Sequence, residues 1–306
     1  MSAPGSPAPD YPRFCGDDGM PSTYQAARVA VLPVPYEGTV SYGRGAGAGP
    51  RAILEASAQL EMYDEELDQR IDQWGIFTLP PVDTQGAGPK EMMDRIYWAA
   101  LPVLRDGKLL FTLGGEHSVS YGVFKALKET RGRPFSILQI DAHADLRDSY
   151  GGTPHSHACI MARAHDLGLP FVQVGIRALC AEERAFLRRE GLEGNVFWAH
   201  EIAARAEADW IEAAVERLGE EVYVTFDVDG LDPTVMPATG TPVPGGLGWY
   251  TALRLLRAVA ARRRIIGFDV TELAPLPGLI APDFLTARLV YKAIGYALER
   301  ELPALD

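Results

Sequence analysis

The sequence predicts an α/β protein in three layers: a central, mostly parallel sheet of about eight strands with helices on both faces. Three observations predict it. Short β-rich runs alternate with helical stretches along the chain. Several of those runs are apolar almost throughout, as in Ile137-Leu138-Gln139-Ile140 and Val222-Tyr223-Val224-Thr225-Phe226, which is how a strand buried on both faces reads. Acidic and histidine-bearing motifs directly follow three of the runs, and that is where open parallel sheets bind ligands.

Residues 1–25 are rich in Pro, Ser, Gly and Asp and predict an irregular arm, disordered or packed on a neighbouring subunit. A single domain is expected over 26–306, since no repeat or further linker divides it. Strands are expected at Arg28–Val34, Gly75–Leu79, Leu109–Leu113, Ser136–Asp141, Phe171–Gly175, Val196–Trp198, Val222–Asp227 and Ile265–Val270. Helices are expected between them, at Pro50–Tyr63, Glu91–Leu104, Val119–Thr130, Glu201–Leu218 and Tyr250–Arg262. Pro50 sits where a first helical turn tolerates proline.

Composition narrows the function classes. The chain is 47% hydrophobic and 23% charged, ordinary for a soluble domain, and has no apolar run long enough to span a membrane. No hydrophobic segment in residues 1–25 marks a secretory signal, so the cytoplasm is the expected location. Cys15, Cys159 and Cys180 are odd in number and widely spaced, which predicts reduced thiols. A net charge of −12 disfavours nucleic acid and anionic membrane as partners and mildly favours a cationic substrate.

The motifs are Gly114-Gly115-Glu116-His117-Ser118, Asp141-Ala142-His143-Ala144-Asp145 and Asp227-Val228-Asp229-Gly230-Leu231-Asp232-Pro233. Asp141, His143 and Asp145 fall at alternate positions, as do Asp227 and Asp229, and alternate side chains of an extended chain point the same way. Two neighbouring strand ends then converge several carboxylates, a costly arrangement unless divalent cations compensate it. That donor set suits Mn²⁺ over softer ions, with Zn, Fe, Co and Ni as alternatives. Each piece has an ordinary structural explanation, such as a turn or a helix cap. Jointly, six metal-competent side chains at strand ends of one sheet do not. Gly43-Arg44-Gly45-Ala46-Gly47-Ala48 fits a dinucleotide fingerprint formally but stands too far from its strand. Arg262-Arg263-Arg264 reads as a helix end that favours cations.

These motifs resemble the ureohydrolases, the arginase and agmatinase family. The resemblance rests on GGEHS, DAHADLR, SHAC, FDVDGLDP with its trailing PATGTP, and DVTELAP, together with the upstream segment from Ser41 to Arg51. It implies an arginase-like fold and two Mn²⁺ per subunit. One ion takes His117, Asp141, Asp145 and Asp227; the other takes His143, Asp141, Asp227 and Asp229. It further implies that a hydroxide bridging the ions attacks a guanidinium carbon, that Asp145 passes a proton to the leaving amine, that Glu272 pairs with the guanidinium and that His157 relays protons, with His155 as a neighbour able to substitute. Glu116 replaces the Asp more common in that motif and carries no ligand role. Homo-oligomers, trimers or hexamers, are also implied.

Arginases hold the α-amino acid end of arginine through a loop after DAHAD that uses asparagine and serine. Here the loop runs from Arg147 to His155 without asparagine; the only one in the chain is Asn195. The expected substrate is therefore agmatine, cut to putrescine and urea, with Asp148 or an acid from another loop meeting its ammonium. Guanidinobutyrate, guanidinopropionate, guanidine and arginine are alternative substrates. A non-catalytic metal-binding protein on the same fold and a dinuclear phosphoesterase are the readings from other classes.

Overall fold

All eight expected runs become strands of one parallel sheet, with ends within two residues of expectation. The computed structural model describes residues 11–299. In chain order the strands are β1 (Val29–Val34), the short hairpin β2 (Tyr63–Asp64) and β3 (Gln69–Arg70), β4 (Ile76–Thr78), β5 (Leu109–Gly114), β6 (Ser136–Ile140), β7 (Phe171–Ile176), β8 (Val196–Trp198), β9 (Glu221–Asp227) and β10 (Arg264–Thr271). The helices are α1 (Gly49–Ser57), α2 (Pro89–Arg105), α3 (Ser120–Arg131), α4 (Ile160–Asp166), α5 (Ala181–Arg189), α6 (Ala199–Ile202), α7 (Glu207–Arg217), α8 (Trp249–Arg262) and α9 (Ala281–Leu298).

The sheet order is β4-β1-β5-β10-β9-β6-β7-β8. Apolar residues of α2 to α5 pack on one face, and those of α1, α7, α8 and α9 on the other. Strands sealed on both faces carry no polar alternation, which accounts for the apolar runs. Each fully buried Val, Ile or Leu, such as Ile137, Leu138 and Ile140, contributes roughly 1.5–3 kcal/mol of burial.

Two expected helices are shorter than predicted. The helix from Pro50 stops at Ser57, whose hydroxyl turns back to the Leu54 carbonyl and accepts the Cys15 amide. The stretch expected at Glu201–Leu218 is two helices, α6 and α7, and α7 restarts where Glu207 and Asp209 place acids in its first turn. The expectations contain no α9. Its buried residues surround the helix, so it has no amphipathic stripe to betray it.

The first ten residues of the expected arm lie outside the described residues. Residues 11–25 contain neither helix nor strand and pack on the same chain: the Phe14 amide donates to Thr78 and the Met20 amide to Asp72. Among the described residues, no helix is long and apolar enough to cross a membrane.

The chain path positions the site. After β1, β4 and β5 the chain crosses to build β6, β7 and β8, then returns to insert β9 and β10 between β5 and β6. Four adjacent central strands, β5-β10-β9-β6, thus end side by side, with Thr271 beside Asp227 and Ile140 beside Phe226.

Candidate metal centre

The four central strands deliver the motifs to one point. Beyond β5 the chain presses against the first loop: a Cβ on Gly115 would lie 2.0 Å from the Tyr36 carbonyl oxygen, so only glycine fits. That approach carries His117 inward. Its Nδ1 stands 3.1 Å from an Asp141 oxygen, 3.1 Å from an Asp145 oxygen and 3.4 Å from an Asp227 oxygen. On the other side, His143 Nδ1 is 3.0 Å from Asp229 and 3.6 Å from the second oxygen of Asp141. Asp141 therefore faces both histidines.

The convergence does not come from strand alternation as the sequence suggests. Asp145 has φ 51°, and Val228–Gly230 form a tight 3₁₀ turn in which the Asp229 amide donates to Asp227 at 2.8 Å. Turns aim these carboxylates inward. Asp145 and Glu272 (φ 64°) are two of four non-glycine residues with positive φ among the described residues. Such conformations cost about 1–3 kcal/mol each and persist where surroundings impose them. Here the Asp145 carbonyl accepts from Met161 and Ala162, and the Glu272 amide donates to the Gly115 carbonyl at 2.7 Å.

The donors fit a pair of divalent cations. His117 is buried and its Nδ1 has no hydrogen-bond partner, although three carboxylate oxygens surround it. Its Nε2 is committed elsewhere, 2.7 Å from the Thr225 hydroxyl, which itself donates to Asp269 at 2.6 Å. Nε2 therefore carries the ring proton, and Nδ1 offers its lone pair to the cluster, as a metal ligand must. Two groups of side chains lie close enough to hold an ion each: His117, Asp141 and Asp145, and Asp141, His143 and Asp229.

Without cations, protons do the compensating. Burial and the Asp141 charge push Asp145 up to about 7. Burial, Asp229 and Asp141 push Asp227 well above the carboxylate range. Burial opposes protonation of both histidines but is outweighed: Asp141, Asp145 and Asp227 raise His117 strongly, and Asp141 and Asp229 bring His143 to about 12. Burial also raises Asp141, but the adjacent His117 and His143 rings hold it below its usual range.

A cleft of about 300 Å³ opens over the cluster, and both His157 and Glu272 line it. Glu272 is buried and accepts the His117 amide at 2.7 Å; burial and Glu116 raise its pKa strongly. Burial, with His117 and His143 nearby, lowers His157 to about 4, so its ring is neutral at physiological pH. His155 does not line the cleft; its ring lies 5.7 Å from that of Tyr121. Asp148 also turns away, to pair with Arg163 at 2.9 Å. Arg147 does line the cleft, with its guanidinium 4.9 Å over the Tyr150 ring. Asn195 precedes β8, at the opposite end of the sheet from the site.

Supporting residues escape a motif reading. Thr225, Asp269 and Tyr223, which donates to Asp269 at 2.8 Å, form a buried network behind His117. Gln139 donates to Asp141 at 2.7 Å. The available signal is a polar residue inside a strand that is otherwise sealed on both faces.

Comparison with known proteins places this geometry. The chain matches the arginase family over residues 27–295. It is 42% identical over 281 residues to an N(1)-aminopropylagmatine ureohydrolase from a Synechocystis species, covering 90% of each chain. It is 34% identical to an agmatinase from Pyrococcus horikoshii, over 87% of this chain and 90% of the other. The agmatine ureohydrolase structure from Thermoplasma volcanium superposes with a TM-score of 0.82 at 29% identity, covering 93% of this chain and 94% of the other.

Proposed function

The chain belongs to the arginase family, and we propose that it is a manganese-dependent ureohydrolase that removes urea from an agmatine-type guanidine. The observation that carries the reading is the buried, partnerless His117 Nδ1 among three carboxylates, beside a second histidine–carboxylate group that shares Asp141. His117, Asp141, Asp145 and Asp227 would hold one ion, and His143, Asp141, Asp227 and Asp229 the other. Paired divalent ions supply the nucleophile at neutral pH by lowering the pKa of water.

The remaining work falls to the chain. Asp145, Asp227 and Asp229 at the floor of the cleft favour a cation, and Glu272, which also lines it, offers a carboxylate to the guanidinium N–H groups. Asp145 is placed to carry a proton to the leaving nitrogen, and His157, neutral and cleft-facing, to exchange protons with solvent. No asparagine stands near the cleft to hold an α-carboxylate, which speaks against arginine.

The amine end decides the substrate. The relative at 42% identity acts, by its name, on N(1)-aminopropylagmatine, and those named agmatinase are less similar. Tyr42, which lines the cleft and is 83% exposed, offers an aromatic face to the amine end of a longer cationic chain. N(1)-aminopropylagmatine is thus the first substrate, releasing urea and the triamine. Agmatine is the second reading, favoured by the likeness to the Thermoplasma enzyme. A cytoplasmic homo-oligomer, trimer or hexamer, completes the proposal; the exposed Leu276, Leu279, Ile280 and Phe284 around the start of α9 support self-association.

Urea release from N(1)-aminopropylagmatine, agmatine, arginine and 4-guanidinobutyrate by the Mn²⁺-loaded protein tests the reading. Higher kcat/KM on the first compound is expected. Preference for arginine would overturn the reading of the cleft, and no urea from any of them, with two ions bound, would leave a metal-binding protein.

A further inference from the structure

From its motif alone, Glu116 is a departure without a role, yet its fully buried carboxylate accepts four hydrogen bonds. One oxygen accepts the amides of Gly38 at 2.7 Å and Thr39 at 2.5 Å. The other accepts the hydroxyls of Ser118 at 2.5 Å and Thr39 at 2.6 Å. Glu116 thereby pins the loop after β1 to the start of the motif after β5. Burial raises its pKa, while the four donors favour the carboxylate as an acceptor.

Thr39 has a single hydroxyl proton, and that proton lies on the bond to Glu116. Its oxygen can only accept from anything else. Two nitrogens of His157 approach it, the backbone amide at 3.0 Å and the ring Nδ1 at 3.2 Å. An acceptor facing Nδ1 requires the ring proton to be there. Nε2, the remaining ring nitrogen, then bears the lone pair. Ser156 is the competing contact, with its hydroxyl 3.4 Å from Nδ1; donation from Ser156 would put the ring proton on Nε2 instead.

We infer that Glu116 and Thr39 are positioning residues that lock His157 as its Nδ1–H tautomer, so that Nε2 is the nitrogen free to take a proton in the cleft. The arrangement has the logic of a carboxylate orienting a histidine, with a threonine hydroxyl interposed. It rests on the reading of His157 as the residue that exchanges protons with solvent.

Two measurements test it separately from that reading. The first is the long-range ¹⁵N–¹H spectrum of histidine-labelled protein loaded with diamagnetic Zn²⁺, with the His157 signals identified by their loss in His157→Asn. An Nδ1–H pattern that becomes mixed in Thr39→Val and returns in Thr39→Ser is expected. An Nε2–H pattern in the unmodified protein, or one unchanged in Thr39→Val, overturns the inference.

The second is a double-substitution cycle on the Mn²⁺-loaded enzyme. Thr39→Val is expected to lower kcat about ten- to a hundred-fold with little change in KM, and Thr39→Ser to restore it. Glu116→Gln, which turns one acceptor into a donor, is expected to lower kcat in the same way. In a His157→Asn background the Thr39→Val loss should vanish. A loss that persists there marks a merely structural threonine and overturns the inference. If His157→Asn alone keeps full activity while the tautomer is as expected, the positioning stands and the proton-exchange role of His157 falls.

Discussion

At the scale of single residues, the cluster is a place where protons and divalent ions compete. His117 and His143 have raised affinities for protons when only carboxylates surround them, so ion uptake must displace those protons. Metal affinity is therefore expected to weaken as pH falls. Calorimetric titration with Mn²⁺ in two buffers of different ionisation enthalpy should report net proton release; heats independent of the buffer would sink the idea. In the proposed assignment the two histidines also divide the ions between them. His143→Ala or Asp229→Ala is expected to reduce bound metal from two ions towards one and to weaken the second by more than about a hundred-fold, beyond what loss of a supporting contact costs. Metal content after dialysis is the check, and two tightly held ions in either variant would refute the ligand assignment.

At the scale of elements, the loop between β9 and α8 is held by one side chain. Asp232 accepts the hydroxyl and amide of Thr234 and the amides of Gly245 and Gly246. Those bonds, led by the Thr234 hydroxyl, lower its pKa from an ordinary 3.8 to about 2. Because the folded value is the depressed one, its contribution is fully present above the ordinary value and is lost as pH falls through the folded one. Asp232→Asn leaves a donor facing the glycine amides and is expected to cost about 1 kcal/mol at neutral pH. The gap between the urea midpoints of variant and parent should close on acidification; a gap that widens would contradict the sign.

Much of this scale was legible in advance. Buried strands appear as apolar runs because parallel sheets seal both faces, and several of the eight strands are legible on that basis, the others by their alternation with helices. The motifs at their ends were legible through residue type and spacing. The turns that aim Asp145 and Asp229 were not, since nothing local marks a left-handed aspartate. Nor was α9, buried around its girth, or the Thr225–Asp269 pair, whose partners lie on separate strands.

At the scale of the whole molecule, a net charge of −12 surrounds a cleft floored by aspartates. Capture of a cationic substrate should be helped by that field and screened by salt. The value of kcat/KM for a di- or trication is expected to fall several-fold between low salt and about 0.5 M NaCl, with kcat nearly constant; stopped-assay kinetics across that range would show it, and a salt-independent kcat/KM would remove the field from the account.

The same architecture has a consequence for how the protein is made. The two strands that complete the middle of the sheet, β9 and β10, come late in the chain, from residue 221 onward. A ribosome that has released only the first two-thirds has exposed two half-sheets, each ending in a raw inner edge at β5 or β6. Such edges are templates for pairing with other chains. The last third of the chain fills the gap between them, so the step that assembles the floor of the cleft also covers both inner edges.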